Sequence, residues 1–224
     1  MKFCKYMLGT LLLSGVGLLT NGCSETKSET SAQAMGSTSG MADSADSCDS
    51  PDAAIACSFV NMPAALSSTL TMGGPNEPGD PLLITGTLLQ ADGKSPYAGV
   101  ILYAYQTDHT GRYTKKGGER GVQKWHGHLH GWAKSDKQGR YVISSVRPAS
   151  YPSRTDPAHI HAVIQEPGGR PPYYITDFVF EDDPLVTPKY IASIPSVAVG
   201  GTGVVELKRT AKGWTGRRDI ILKK

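Results

Sequence analysis

Residues 151–161 of this chain read YPSRTDPAHIH, which places two histidines one residue apart with a tyrosine shortly upstream. On a β-strand His159 and His161 project from one face, because side chains alternate with a period of two. Ile160 between them turns to the other face, where it can pack. Two imidazoles so placed can ligate one metal ion. Imidazole suits iron, copper, zinc or nickel, whereas an anionic phenolate from Tyr151 is a hard donor that favours a highly charged ion. The cluster therefore points to ferric iron ahead of zinc. Pro152 biases Tyr151 toward extended backbone and away from helix, which holds it in a stiff segment. Without the histidine pair, Tyr151 would read as a turn tyrosine with a solvated hydroxyl.

A second cluster, WHGHLHG at 125–131, carries His126, His128 and His130. On a strand these would share a face and make a three-histidine site of the kind used for catalytic zinc. Gly127 and Gly131 argue against a strand, so the expectation is that these imidazoles line a substrate mouth or lie on the surface. His109 reads as a turn residue.

Apolar-rich short runs recur at 81–89, 99–106, 140–146, 159–165, 173–180, 203–207 and 219–222, separated by Gly, Pro, Asp and Ser. With no long segment of helical period, this spacing predicts an all-β fold, an antiparallel β-sandwich or barrel with almost no helix. Two stretches share the pattern Asp-x-x-Gly-Arg-Tyr, at 108–113 and 136–141. Both read as turns. Three long connections, 107–135, 147–158 and 182–199, are predicted to form the functional loops, since long loops in a compact β domain usually carry function.

The N-terminus has Lys2 and Lys5, then an apolar run over 7–19, then Thr20, Asn21, Gly22 and Cys23. That order is a secretory signal, 1–22, whose apolar run is short for a bilayer span. Cys23 resembles the lipidated cysteine of bacterial lipoproteins, which implies a lipid anchor in the cell envelope, periplasmic or at the outer membrane; the alternative is ordinary secretion. Residues 24–45 are mostly Ser, Thr, Glu, Ala and Gly, too polar to offset the entropy of ordering, and read as a flexible tether that the domain plan extends over 23–61. In an exported chain Cys48 and Cys57 are expected to pair. The remainder, 62–224, is long enough for one domain with a core. The net charge of +3 comes with no basic stripe and no interleaved aromatics, so nucleic-acid binding has no support.

The stretches SDKQGRY at 135–141, RPASYP at 147–152 and PAHIH at 157–161 resemble the catalytic region of intradiol ring-cleavage dioxygenases, the protocatechuate and catechol dioxygenases. Similarity continues over YQTD at 105–108, GRY at 111–113 and FEDDPL at 180–185. The resemblance implies ferric iron held by two tyrosinates and two histidines, matching Tyr113, Tyr151, His159 and His161. Tyr141 is the rival for Tyr113, because it shares the local pattern. A catechol-type diol would bind the iron through both oxygens, displacing Tyr151, and would be opened by O2 between its hydroxylated carbons.

Two departures stand out. Where the protocatechuate enzymes carry an arginine three residues before the first ligand histidine, this chain has Asp156, and where they carry a glutamine it has Asp177. Carboxylates there disfavour a dianionic catechol. Arg154 or Arg147 is expected to supply the missing charge, or Asp156 and Asp177 to move protons. The rival reading is a lipid-anchored binding module that captures a metal or aromatic ligand without turnover; a third is a structural domain in which these side chains merely pack.

Overall fold

A computed structural model describes residues 47–222. The expected signal segment, Cys23 and the tether up to residue 46 lie outside the described residues. Twelve strands follow in chain order: β1 Thr69–Thr71, β2 Pro81–Leu89, β3 Ile101–Gln106, β4 His130–Lys134, β5 Arg140–Val146, β6 His159–Gln165, β7 Tyr173–Tyr174, β8 Phe178–Phe180, β9 Val204–Val205, β10 Leu207–Thr210, β11 Gly213–Arg217 and β12 Ile220–Ile221. The helices are a 3-10 turn at Ile55–Phe59 and two short α-helices, α1 at Gln123–His126 and α2 at Pro188–Ser193.

The strands make two sheets. The first runs β1-β5-β2-β11-β10, with β12 also on β2; the second runs β4-β3-β6-β8-β9, with β7 on β6. The central pairs β2–β5 and β3–β6 are antiparallel, as expected. Other pairs are not: β1 on β5, β11 and β12 on β2, and β9 on β8 are parallel, whereas the edge pairs β10–β11 and β3–β4 are antiparallel. The sandwich is therefore mixed. Two expected strands are also broken. Residues 173–180 split into β7 and β8, and 203–207 into β9 and the start of β10. β1, β4 and β11 escaped the sequence pattern, β1 because three residues show no period and β4 because its second residue is Gly131.

The core lies between the sheets. Leu82, Ile84 and Ile143 from the first sheet meet Leu102, Ala104, Ile160, Ala162 and Ile164 from the second. Ile160 is fully buried, a gain of roughly 1.5–3 kcal/mol. A one-residue slip of β6 would exchange its core set for the histidines, so this burial fixes which way His159 and His161 point.

They point to the outer face of the second sheet, which is covered. Tyr103, Tyr105 and Val163 on that face pack against Ile55, Phe59, Tyr113 and Trp132. The segment 47–61, assigned to the tether from sequence, thus belongs to the folded body. Trp132 Nε1 donates to the Ser58 carbonyl at 2.8 Å, and Asn61 Nδ2 donates to Gln123 Oε1 at 2.9 Å. Cys48 and Cys57 form a disulfide that packs against Val122. Polar composition misled here because a few apolar anchors, not a period, carry the packing.

Candidate metal centre

Four side chains from three places in the chain converge on the outer face of β6. His159 Nε2 and His161 Nε2 lie 3.0 Å apart, and the Tyr151 hydroxyl lies 3.1 Å from the first and 3.2 Å from the second. The Tyr113 hydroxyl is 2.8 Å from that of Tyr151. His159 and His161 come from the alternation of β6, Tyr151 from the loop after β5, and Tyr113 from the loop after β3.

The donor chemistry fits a cation. His159 Nδ1 donates to the Pro157 carbonyl at 2.7 Å, and His161 Nδ1 donates to Asp177 Oδ1 at 3.0 Å. With its proton on Nδ1, each neutral ring turns an Nε2 lone pair inward, a common arrangement in which an outer partner sets the tautomer of a metal-ligating histidine. Two lone pairs facing each other repel unless a positive centre lies between them. Burial, with the neighbouring His161 as a second cause, holds the His159 imidazole below the usual histidine range, so a proton does not readily supply that charge. Burial, and then the Tyr151 hydrogen bond, pushes the Tyr113 phenol well above its ordinary value. Burial likewise raises Tyr151, against the opposing hydrogen bond from Tyr113. Neither phenolate forms without a cation beside it. The four-donor set therefore suits Fe(III), whose charge would ionise both phenols.

The turn at 108–113 explains how Tyr113 arrives. Asp108 Oδ1 accepts from the backbone N–H groups of Thr110 and Arg112 and from the Thr110 hydroxyl, and its Oδ2 accepts from Thr114. Burial opposes its charge, but these hydrogen bonds prevail and hold its pKa at about 2. Gly111 adopts φ +79°, and a Cβ there would stand 2.1 Å from the Ser150 carbonyl oxygen, so only glycine lets this loop lie against the residue before Tyr151. The second copy of the pattern folds into the same turn, with Asp136 Oδ1 accepting from the N–H groups of Gln138 and Arg140. Its tyrosine goes elsewhere. Tyr141 is buried in the core and donates to the Arg218 carbonyl at 2.7 Å, which removes it as a rival ligand.

Asp177 meets His161 on the Nδ1 side of the ring, away from the Nε2 cluster. Its carboxylate and one ring nitrogen from each histidine lie within 4.8 Å of one another. Tyr105, paired with His161 across β3 and β6, stacks on that imidazole at 4.6 Å and on His126 at 3.6 Å. The sequence reading missed this stack, although Tyr105 at alternation distance from Tyr103 was the available signal.

Asp156 and Arg154 are not in the cluster. Asp156 is exposed and accepts from the Thr155 hydroxyl, and Arg154 is exposed with φ +52°. Neither side chain hydrogen-bonds to a ligand residue. Arg147 is engaged by Asp182 at 2.7 and 2.8 Å and by the Phe180 and Trp214 rings. The expected placement of His126, His128 and His130 is also corrected. His126 is buried, with Nδ1 at 2.7 Å from the Tyr103 hydroxyl; burial, then His161 and His130, lowers it to about 3. His128 bridges the Thr114 carbonyl and Glu77, and His130 donates to the Gly127 carbonyl. Gly127 ends α1 and breaks the strand, so the three rings diverge.

Two cavities reach the site. One of about 670 Å³ is lined by Tyr151, Arg154, His109 and Leu185 among others. The second, about 440 Å³, is lined by His161, Asp177, Tyr174 and Tyr190 among others. Tyr151 borders the first and Tyr113 neither.

A family model described as dioxygenase matches residues 56–212. Among solved structures, the chain is similar to the dioxygenase domain of a dioxygenase carbohydrate-binding protein fusion from Streptomyces sp. SirexAA-E, at 22% identity and TM-score 0.52, over 68% of this chain and 86% of that one. It is similar to 3-chlorocatechol 1,2-dioxygenase from Rhodococcus opacus 1CP, at 22% identity and TM-score 0.51, over 69% of this chain and 64% of that one. It is similar to hydroxyquinol 1,2-dioxygenase from Pseudomonas putida DLL-E4, at 24% identity and TM-score 0.52, over 73% of this chain and 62% of that one. It thus spans less than two thirds of the last two. The solved structures share its sandwich fold, and the family match over most of the chain shows that this chain belongs to the intradiol ring-cleavage dioxygenase family.

Proposed function

We propose that the protein is a ferric, non-haem dioxygenase that opens a catechol-type aromatic diol between its two hydroxylated carbons, using O2. The observation that carries this reading is the meeting of two inward Nε2 lone pairs with two phenolic oxygens, Tyr113 and Tyr151, within 2.8–3.2 Å of one another along the chain of contacts. Fe(III) held there would act as a Lewis acid toward the diol and make its ring reactive toward dioxygen.

The residues divide the remaining work. His159 and His161, with both Nδ1 protons committed to outer acceptors, hold their rings fixed. Tyr113 is held from behind by the Asp108 turn and lines neither of the two cavities that reach the site, so it stays in place. Tyr151 borders the larger cavity, so it is the phenolic donor that an entering diol would meet, and its oxygen would be placed to take a proton from one diol hydroxyl. Arg154 lines the same cavity and faces the incoming substrate. Asp177 fixes the His161 tautomer, which gives the carboxylate that favoured a non-catalytic binding module a role in the metal site instead. Export and a lipid on Cys23 belong to the same proposal; a disulfide such as Cys48–Cys57 persists in an oxidising compartment.

The test is oxygen uptake by the iron-loaded full chain with catechol, hydroxyquinol and protocatechuate under labelled dioxygen. Both labelled atoms in a ring-opened dicarboxylate support the reading. Iron binding and catechol binding without oxygen uptake would favour the binding module.

A further inference from the structure

We propose that Arg218 is a positioning residue for the metal centre, holding the Thr176–Asp177 backbone so that the Asp177 carboxylate meets His161 Nδ1. The inference rests on the iron-site reading above.

Arg218 is 6% exposed, and its guanidinium lies 4.3 Å over the Phe178 ring. Among the described residues it forms no ion pair. Burial pulls its pKa down to about 10, so it remains a cation at neutral pH. A buried cation without a paired acid is costly and is kept only where its hydrogen bonds hold something. Its guanidinium bonds go to two residues, Thr176 and Gly200. Nη1 and Nη2 donate to the Thr176 carbonyl at 3.0 and 3.1 Å, and Nη2 also donates to Thr176 Oγ1 at 2.7 Å and to the Gly200 carbonyl at 2.9 Å.

Those acceptors lie on two segments that the sheet itself does not fix: the break between β7 and β8, and the loop before β9. The residue after Thr176 is Asp177. Thr176 also bonds Val199 through its N–H at 2.9 Å and its hydroxyl at 3.1 Å, so the guanidinium closes a clamp that joins 176 to 199–200. Thr176, the centre of this clamp, and Asp177 beside it line the smaller cavity next to His161.

The anchor of the clamp is the opposite sheet. The Arg218 N–H donates to the Thr85 carbonyl at 2.9 Å, and the Arg218 carbonyl accepts from the buried Tyr141 hydroxyl at 2.7 Å. A Cβ at Gly86 would stand 1.8 Å from that carbonyl, so glycine in β2 makes room for the approach. Arg218 therefore carries the rigidity of the first sheet across to the carboxylate that orients His161.

The test uses the full chain with Arg218→Met, Arg218→Lys, Asp177→Ala and the double variant Asp177→Ala/Arg218→Met. In the metal-free protein, nitrogen-resolved NMR of the imidazoles reports the His161 tautomer. Competition titration reports Fe(III) affinity. The expected results are an Nδ1 proton on His161 in the wild type, a mixed tautomer in Arg218→Met, and a loss of Fe(III) affinity of about tenfold or more. Arg218→Lys should restore part of both. In the Asp177→Ala background, which has no side-chain acceptor for His161 Nδ1, Arg218→Met should change affinity by less than about twofold, because its lever has gone. The same fold-loss in both backgrounds, or an unchanged tautomer in Arg218→Met, overturns the proposal. Should Arg218→Met not fold, Thr176→Val, which removes one acceptor and keeps the shape, takes its place with the same two criteria. If the wild type retains no iron, the dioxygenase reading fails while the tautomer comparison still decides the role of Arg218.

Discussion

The hydroxyls of Tyr113 and Tyr151, 38 positions apart in the chain, lie 2.8 Å from each other, and of the two only Tyr151 borders either cavity that reaches the site. That asymmetry assigns them different tasks. Tyr113 anchors and Tyr151 exchanges.

Tyr151→Phe should therefore retain Fe(III) but change its colour and slow substrate binding, lowering turnover by roughly a hundredfold, within the range for loss of a positioned proton acceptor. Visible spectra and steady-state oxygen uptake check this. Unchanged spectra and kinetics would remove Tyr151 from the site.

Asp177→Ala, which removes the acceptor for His161 Nδ1, should weaken Fe(III) binding by about 10- to 100-fold, the usual cost of losing an outer partner to a ligand histidine. Asp156→Asn, at an exposed carboxylate bonded only to Thr155, should change it by less than about threefold. Equal effects of the two substitutions would show that field strength, not His161 orientation, is what these acids contribute.

Gly111→Ala combines a positive φ with a collision at the Ser150 carbonyl. It should cost about 1–3 kcal/mol in chemical denaturation and lower iron retention, since the loop that presents Tyr113 must back away from Tyr151. An alanine variant of wild-type stability with wild-type colour would show that the two loops tolerate separation.

The metal-free protein should lose stability as pH falls from about 6.5 toward 5. Burial depresses the pKa of His126, His130 and His159, so in this window the unfolded chain binds protons that the folded chain does not. Their contribution is complete above the unfolded pKa and declines as pH falls toward the folded values. The slope is at most about 1.4 kcal/mol per pH unit for each histidine. Thermal melting against pH measures it, and His126→Gln should flatten the curve. A flat wild-type curve would mean that these rings take up protons in the folded state.

The centre of this fold was legible because β6 obeys a strict alternation: His159, Ile160 and His161 could be assigned to faces from sequence, and Pro152 and Asp108 marked the loops that bring Tyr151 and Tyr113. The order of the ligand residues in the chain supplied the rest through the family resemblance. What stayed hidden depends on contacts between distant segments. Nothing local in 47–61 announces that Ile55 and Phe59 cover Tyr103 and Tyr105, or that Arg218 reaches across to Thr176. The glycines at 127 and 131 argue correctly against a three-histidine strand, but the burial of His126 on Tyr103 and the hold of Glu77 on His128 depend on distant residues that the local sequence does not show. The parallel edge strands follow from long excursions between pairing segments, which periodicity does not register.

The central claim is that Tyr113, Tyr151, His159 and His161 together bind ferric iron at a site open to a diol. The most direct measurement is the visible absorption spectrum of the full chain loaded with Fe(III), before and after addition of catechol. A tyrosinate-to-iron charge-transfer band that shifts with catechol is the expected result. A colourless protein that does not retain iron would contradict it.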